Sequence, residues 1–211
     1  MKAWIFDLDG TVVDSGPASF ASFKEALEPF GVEFTAETME RIRHEQPYRV
    51  FRSLVGEENE KEVYRRLEEI NLKHLDKVTL FEGLVDAVRL LKDNDSTVAI
   101  WTGRDHGSMK DLLDHFKIYD LFDDHVSGTC VGKNKPDPEG LIKLSDTLKV
   151  DADEFTMIGD HAHDVIGAKS VGARAVQVYW QDTYHTGETE HEPDHEFDCE
   201  TKFLNWIKTQ L

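Results

Sequence analysis

The chain opens on an unbroken apolar run, Ala3-Trp4-Ile5-Phe6, which gives way at once to Asp7-Leu8-Asp9-Gly10-Thr11. A short continuous apolar run predicts a strand buried on both faces. From residue 16 to residue 77 no alternating pattern appears, and apolar positions recur at helical spacing instead. Ala18 to Phe30 predicts an amphipathic helix ended by Gly31, and Thr35 opens a second that runs towards Ile42 and His44. Pro47 permits a third, with Val50, Phe51 and Leu54 on one face before Gly56. Asn59 and Glu62 cap a fourth that reaches about Leu75, its Val63, Leu67 and Ile70 facing the other helices.

An α/β rhythm resumes near Phe81. Leu84–Leu91 is helical, Thr97–Trp101 a buried strand, 107–116 a helix and 124–126 a short strand. A helix over 138–147, a strand over Phe155–Ile158, a helix over 162–170, a strand over Ala173–Tyr179 and a helix over 200–210 complete the chain. Strands alternating with helices predict an α/β fold, a parallel sheet with helices on both faces. The predicted division is a core of residues 1–15 and 80–211 with an inserted α-helical unit of residues 16–79.

Composition narrows the function. The 211 residues carry 42 acidic and 24 basic side chains, a net charge of −18, which argues against nucleic acid or an anionic membrane as partner. No apolar run approaches the ~20 residues of a membrane span. The amino terminus shows no secretory pattern, and two cysteines, Cys130 and Cys199, fit a reducing compartment, so the expected location is cytoplasmic. Residues 15–80 hold 13 acids and 10 bases, so most of the negative charge lies elsewhere. Much of it falls in Gly187–Glu200, expected to be a solvated acidic loop rather than a metal site built on His185, His191 and His195. Nothing in the pattern requires a second copy of the chain, and a monomer is the expectation.

The polar residues that interrupt this pattern fall just after predicted strands, where open α/β sheets place their ligands. Asp7 and Asp9 repel each other and add nothing to folding unless a cation or a reacting group needs them. Gly10 and Thr11 turn the chain directly behind them. The second core strand ends in Thr102-Gly103-Arg104, a hydroxyl and backbone amides suited to phosphate oxygens. Lys133-Asn134-Lys135-Pro136-Asp137-Pro138 brings lysine to a helix start. Gly159-Asp160-His161-Ala162-His163-Asp164 places two acids four apart at another.

Taken in this order, DLDGT at 7–11, Thr102, Lys135 within KPDP and GDHAHD at 159–164 resemble the haloacid dehalogenase superfamily across nearly the whole chain. The position of the helical insertion resembles its phosphoglycolate-phosphatase-like and β-phosphoglucomutase-like branch. The resemblance implies a Rossmann-like core, a mobile helical cap and phosphatase chemistry on a small phosphorylated metabolite. It implies Asp7 as nucleophile, Asp9 as proton carrier and Lys135 as the charge-neutralising lysine. Thr102 and Gly103 are then the phosphate-oxygen contacts, and Mg²⁺ is held by Asp7, the Asp9 carbonyl, Asp160 and Asp164.

Other residues have more ordinary readings. Asp14 and Ser15 are expected to cap or hinge the first inserted helix, Thr11 to shape the turn and support Asp7, and His161 and His163 to flank the metal acids without ligating. Arg104 is expected to make either a phosphate contact or a surface ion pair. Arg41, Arg43, Arg49 and Arg52 surround Gln46-Pro47-Tyr48, and Arg49 stands where related caps contact substrate. The alternatives to a phosphatase are a phosphomutase and a non-catalytic binding protein of the same fold.

Overall fold

The computed structural model describes residues 3–45, 47–70, 73–180 and 191–211. Gln46, His185, residues 187–190 of the acidic run and the side chains of Arg43, Pro47 and Tyr48 lie outside this description. The strands are β1 (Ala3–Phe6), β2 (Val13–Asp14), β3 (Thr79–Leu80), β4 (Thr97–Trp101), β5 (Asp124–Val126), β6 (Phe155–Gly159), β7 (Arg174–Val178) and β8 (His195–Phe197). The α-helices are α1 (Gly16–Leu27), α2 (Ala36–His44), α3 (Pro47–Val55), α4 (Glu60–Ile70), α5 (Glu82–Asp93), α6 (His106–His115), α7 (Glu139–Leu148), α8 (Ala162–Ser170) and α9 (Glu200–Lys208).

Two units divide the chain: Met1–Asp14 with Leu80–Leu211, and Ser15–Thr79. The first is built on a six-stranded sheet in the order β5-β4-β1-β6-β7-β8, parallel at each of its pairings. Every residue of β1 is buried, which is why its sequence reads as a run and not as an alternation. Phe6 is in register with Ile100 on one side and Ile158 on the other. That register brings the ends of β1, β4 and β6 to one edge of the sheet, and with them Asp7, Thr102 and Asp160. The Asp7 N–H continues the ladder by donating to the Ile158 carbonyl at 2.8 Å.

The 16–79 insertion is helical, with its own core of Leu27, Phe34, Met39, Ile42, Val50, Phe51 and Val63. Some boundaries differ from expectation. The first helix stops at Leu27 and continues as a 3₁₀ turn (Glu28–Phe30), because Pro29 has no N–H to extend the α ladder. Ser15 takes the N-cap position of α1 without a side-chain cap bond. Thr35 caps α2 as expected, accepting from the Thr38 N–H at 3.3 Å. Asn59 turns its amide back to the Val55 carbonyl (2.9 Å) from a short 3₁₀ turn. The fourth helix ends at Ile70, and Leu75 lies in a separate 3₁₀ turn.

The largest correction concerns the acidic run. Its described second half is not a solvated loop: His195–Phe197 forms β8 at the sheet edge, paired with β7. Asp194 donates its backbone N–H to the Ala175 carbonyl (2.8 Å), accepts the Ala175 N–H on its carboxylate (2.8 Å), and pairs with Lys169 at 2.7 Å. Glu200 accepts the Gly83 N–H at 2.7 Å and so caps the start of α5 from α9. Cys130 and Cys199 are free thiols. Among the described residues no helix is long and apolar enough to cross a membrane.

Candidate active site

The end of β1 delivers Asp7 into a buried group of acids. Asp7, Asp160 and Asp164 each offer a carboxylate oxygen within 4.8 Å of the others, and all three are buried. Three different local devices put them there. Asp7 follows the last residue of β1, Asp160 follows the last residue of β6, and Asp164 stands in the first turn of α8. Asp164 also accepts the His161 N–H at 3.1 Å, completing a capping box in which His161 Nδ1 accepts the His163 N–H. One carboxylate thus fixes the helix start and joins the cluster.

Two glycines make the group possible. Gly10 has φ of +79°, and a Cβ there would lie 2.2 Å from Asp160 Oδ2. A Cβ on Gly159 would lie 2.2 Å from Asp164 Oδ2. The turn after β1 closes through Leu8, whose carbonyl accepts the N–H groups of Val12 and Val13. Thr11, expected to support Asp7, donates its hydroxyl to Asp160 Oδ1 at 3.3 Å instead.

Lys135 supplies the positive charge. Its ammonium donates to Asp7 Oδ1 at 2.8 Å and to Asp164 Oδ1 at 2.6 Å. Lys133, the other lysine of that loop, is exposed and pairs with Asp137 at 3.4 Å. Beneath Lys135 lies the ring of Trp101, its centroid 4.7 Å from Nζ. This fully buried indole fits because two helices present glycine to it. A Cβ on Gly140 would lie 2.0 Å from its Nε1, and one on Gly167 2.5 Å from its Cη2. The sequence marks this slot by no more than glycine inside two helices.

The electrostatics follow from burial. Burial lifts the Asp7 carboxyl to about 7 against the pull of Lys135, with Asp164 and Asp9 adding to the rise. Burial, then Asp7 and Asp164, raise Asp160 well above the usual carboxylate range. Burial works against the Lys135 ammonium, but Asp164 and Asp7 outweigh it and keep Lys135 charged. One cation facing three buried carboxylates leaves an uncompensated negative charge, and hard oxygen donors so grouped suit a divalent cation.

Asp9 stands apart from the cluster. Its carboxylate is gripped by Arg104, Nε to Oδ2 at 3.0 Å and Nη2 to Oδ1 at 2.5 Å, a two-pronged fork. Arg104 thus makes an ion pair, one of its two expected roles, though a half-buried one at the strand ends and not one on the open surface. Thr102 is buried, and its hydroxyl accepts the Arg104 N–H at 3.1 Å, so the hydroxyl proton points elsewhere. Gly103 has open space where a Cβ would project. Arg49 is an exposed residue of α3 in the helical unit. Nearby on that unit, Arg52 is paired with Glu60 (2.7 Å) and Arg41 with Glu45 (2.9 Å).

A parallel α/β core that gathers three buried carboxylates and a lysine paired to two of them at the ends of its strands has the parts that a phosphoryl-transfer hydrolase requires. The profile of the haloacid dehalogenase-like hydrolases matches residues 4–178, and the chain belongs to that family. It is similar to the phosphoglycolate phosphatase of Cereibacter sphaeroides, 29% identical over 183 residues, covering 82% of this chain and 83% of that protein. It is also similar to the pyrophosphatase PpaX of Bacillus cereus, 28% identical over 178 residues, covering 83% and 82%. Its fold matches the crystal structure of a predicted phosphoglycolate phosphatase from Haemophilus somnus 129PT with a TM-score of 0.87 at 21% identity, covering 98% and 97%. The chain is a phosphatase of the haloacid dehalogenase type.

Proposed function

We propose that this enzyme is a Mg²⁺-dependent phosphatase that hydrolyses a small phosphorylated metabolite in the cytoplasm through an aspartyl-phosphate on Asp7. The observation that supports the reading is the convergence of Asp7, Asp160, Asp164 and Lys135 in one cluster at the ends of the central strands. Asp7, Asp160, Asp164 and the Asp9 carbonyl would hold Mg²⁺, which when bound offsets charge on the phosphate and on the nucleophile.

Asp7 attacks phosphorus in line, forming a carboxylate–phosphorus bond as the bond to the leaving oxygen breaks. Asp9 delivers a proton to that oxygen, then takes one from the water that attacks phosphorus in the second step. The second step releases inorganic phosphate and restores the Asp7 carboxylate. Lys135 neutralises charge shared by Asp7 and the phosphoryl group throughout. The Thr102 hydroxyl and the Gly103 amide donate to the oxygens that are not displaced. Arg49 contributes from the cap, contacting a second anionic group or a sugar hydroxyl of the substrate.

Acid quench during turnover, followed by mass mapping of peptides, tests the covalent step. The expected result is a hydroxylamine-sensitive phosphoryl group on Asp7. A phosphoryl group found on any other side chain refutes it.

A further inference from the structure

The Arg104–Asp9 fork is a charged interaction at the strand ends that the reaction above does not use. It ties the β4 end to the β1 end, with both carboxylate oxygens of Asp9 bound by one guanidinium. The pair is not sealed in the core: the Asp9 side chain keeps 34% of its exposure and Arg104 21%, enough for a small ligand to meet both. Lys135, by contrast, keeps 10% and is already shared between Asp7 and Asp164. Among the cations described at the strand ends, Arg104 is thus the one placed to meet a group beyond the transferred phosphate.

If Asp9 serves the leaving oxygen, it cannot do so with both of its oxygens held in the fork. One arm must open, and a half-buried guanidinium that loses part of its charged partner is best satisfied by another anion. The replacement that arrives together with the leaving oxygen is an anionic group carried by the leaving group itself. A neutral leaving group offers the guanidinium no such exchange.

We propose that Arg104 is the specificity residue for the leaving group, exchanging one arm of its fork from Asp9 to a carboxylate or phosphate borne next to the scissile oxygen. The substrate class is then a small phosphate ester or anhydride whose leaving group carries a second anion. The exchange frees one oxygen of Asp9 for the leaving oxygen, so such substrates also release the residue that acts on them. This inference rests on the phosphatase reading above. It assigns the core's share of substrate recognition, separate from Arg49 on the cap.

The test pairs alkyl phosphate esters that differ in that second anion: phosphoglycolate against 2-hydroxyethyl phosphate, and 2-phosphonoethyl phosphate against propyl phosphate, each with Mg²⁺. Wild type is expected to favour the anion-bearing member of each pair in kcat/KM by about 10- to 100-fold, the range of one charged hydrogen-bonding partner. Arg104→Gln is expected to bring that ratio close to one, and Arg104→Lys, which keeps the charge but loses the fork, to restore part of it. Equal losses on both members, or a wild-type ratio near one, overturn the inference; the wild-type ratio decides even if the variants do not fold. No phosphate release from any of the four compounds overturns this inference alone; the phosphatase reading falls separately, if a wider panel of phosphorylated metabolites also gives none.

Discussion

Gly140→Ala probes the least expected part of the site, the slot that holds Trp101 under Lys135. Gly140 is the second residue of α7, where exchanging glycine for alanine ordinarily stabilises a protein by about 0.4–1 kcal/mol. Here the new Cβ would lie 2.0 Å from Trp101 Nε1, 2.5 Å from Cδ1 and 2.9 Å from Cε2. The indole cannot slide away, since its far edge faces Gly167 and it is 1% exposed. Overpacking of that kind costs about 1–3 kcal/mol, so the net change should be destabilising. Gly107 gives a matched control: it is the second residue of α6, and its Cβ would meet only Asp105 Oδ1 at 3.4 Å. Urea unfolding followed by circular dichroism should place Gly140→Ala about 1–3 kcal/mol below Gly107→Ala. Because the displaced ring carries Lys135, phosphate release should also fall, by as much as ~100-fold for a shift near 1 Å. Equal stability of the two variants would refute the slot and its coupling to the lysine.

Two further outcomes follow from the same geometry. Gly10→Ala must hold alanine at φ of +79°, a strain of about 1–2 kcal/mol, and drive a Cβ against Asp160; a Mg²⁺ titration of phosphate release should show apparent metal affinity lowered by about 10- to 100-fold. Arg49→Ala should raise KM for the best substrate by about tenfold with little change in kcat, and an unchanged KM removes Arg49 from substrate recognition.

The frame of this molecule was legible where the pattern was strong. Ala3–Phe6, Thr97–Trp101 and Phe155–Ile158 read as buried strands because both of their faces are covered, and the acids and hydroxyl behind them mark the strand ends. β8 was missed because His195-Glu196-Phe197 is short, lies at an edge and carries acidic neighbours, so its pairing to β7 leaves no apolar trace. The helix starts were only partly readable: Thr35 announces α2, but histidine is an unusual cap, and His161 gave no such signal at α8.

At the site, residue identity and spacing pointed to Asp7, Lys135 and Asp160, whose roles depend on their place in the chain. The partners that hold them were hidden. Arg104 meets Asp9 across 95 residues, and Trp101 reaches Lys135 only because glycine stands at 140 and 167. Glycine within a helix was the available sign, but it does not say which ring fills the space.

The central claim is that Asp7 transfers the phosphoryl group in a metal-supported site. Phosphate release from a panel of phosphorylated metabolites, by wild type and Asp7→Asn, each with Mg²⁺ and with chelator, tests it most directly. The account predicts release by wild type that needs the metal and vanishes in Asp7→Asn while the fold persists by circular dichroism. Release by Asp7→Asn at the wild-type rate would contradict it.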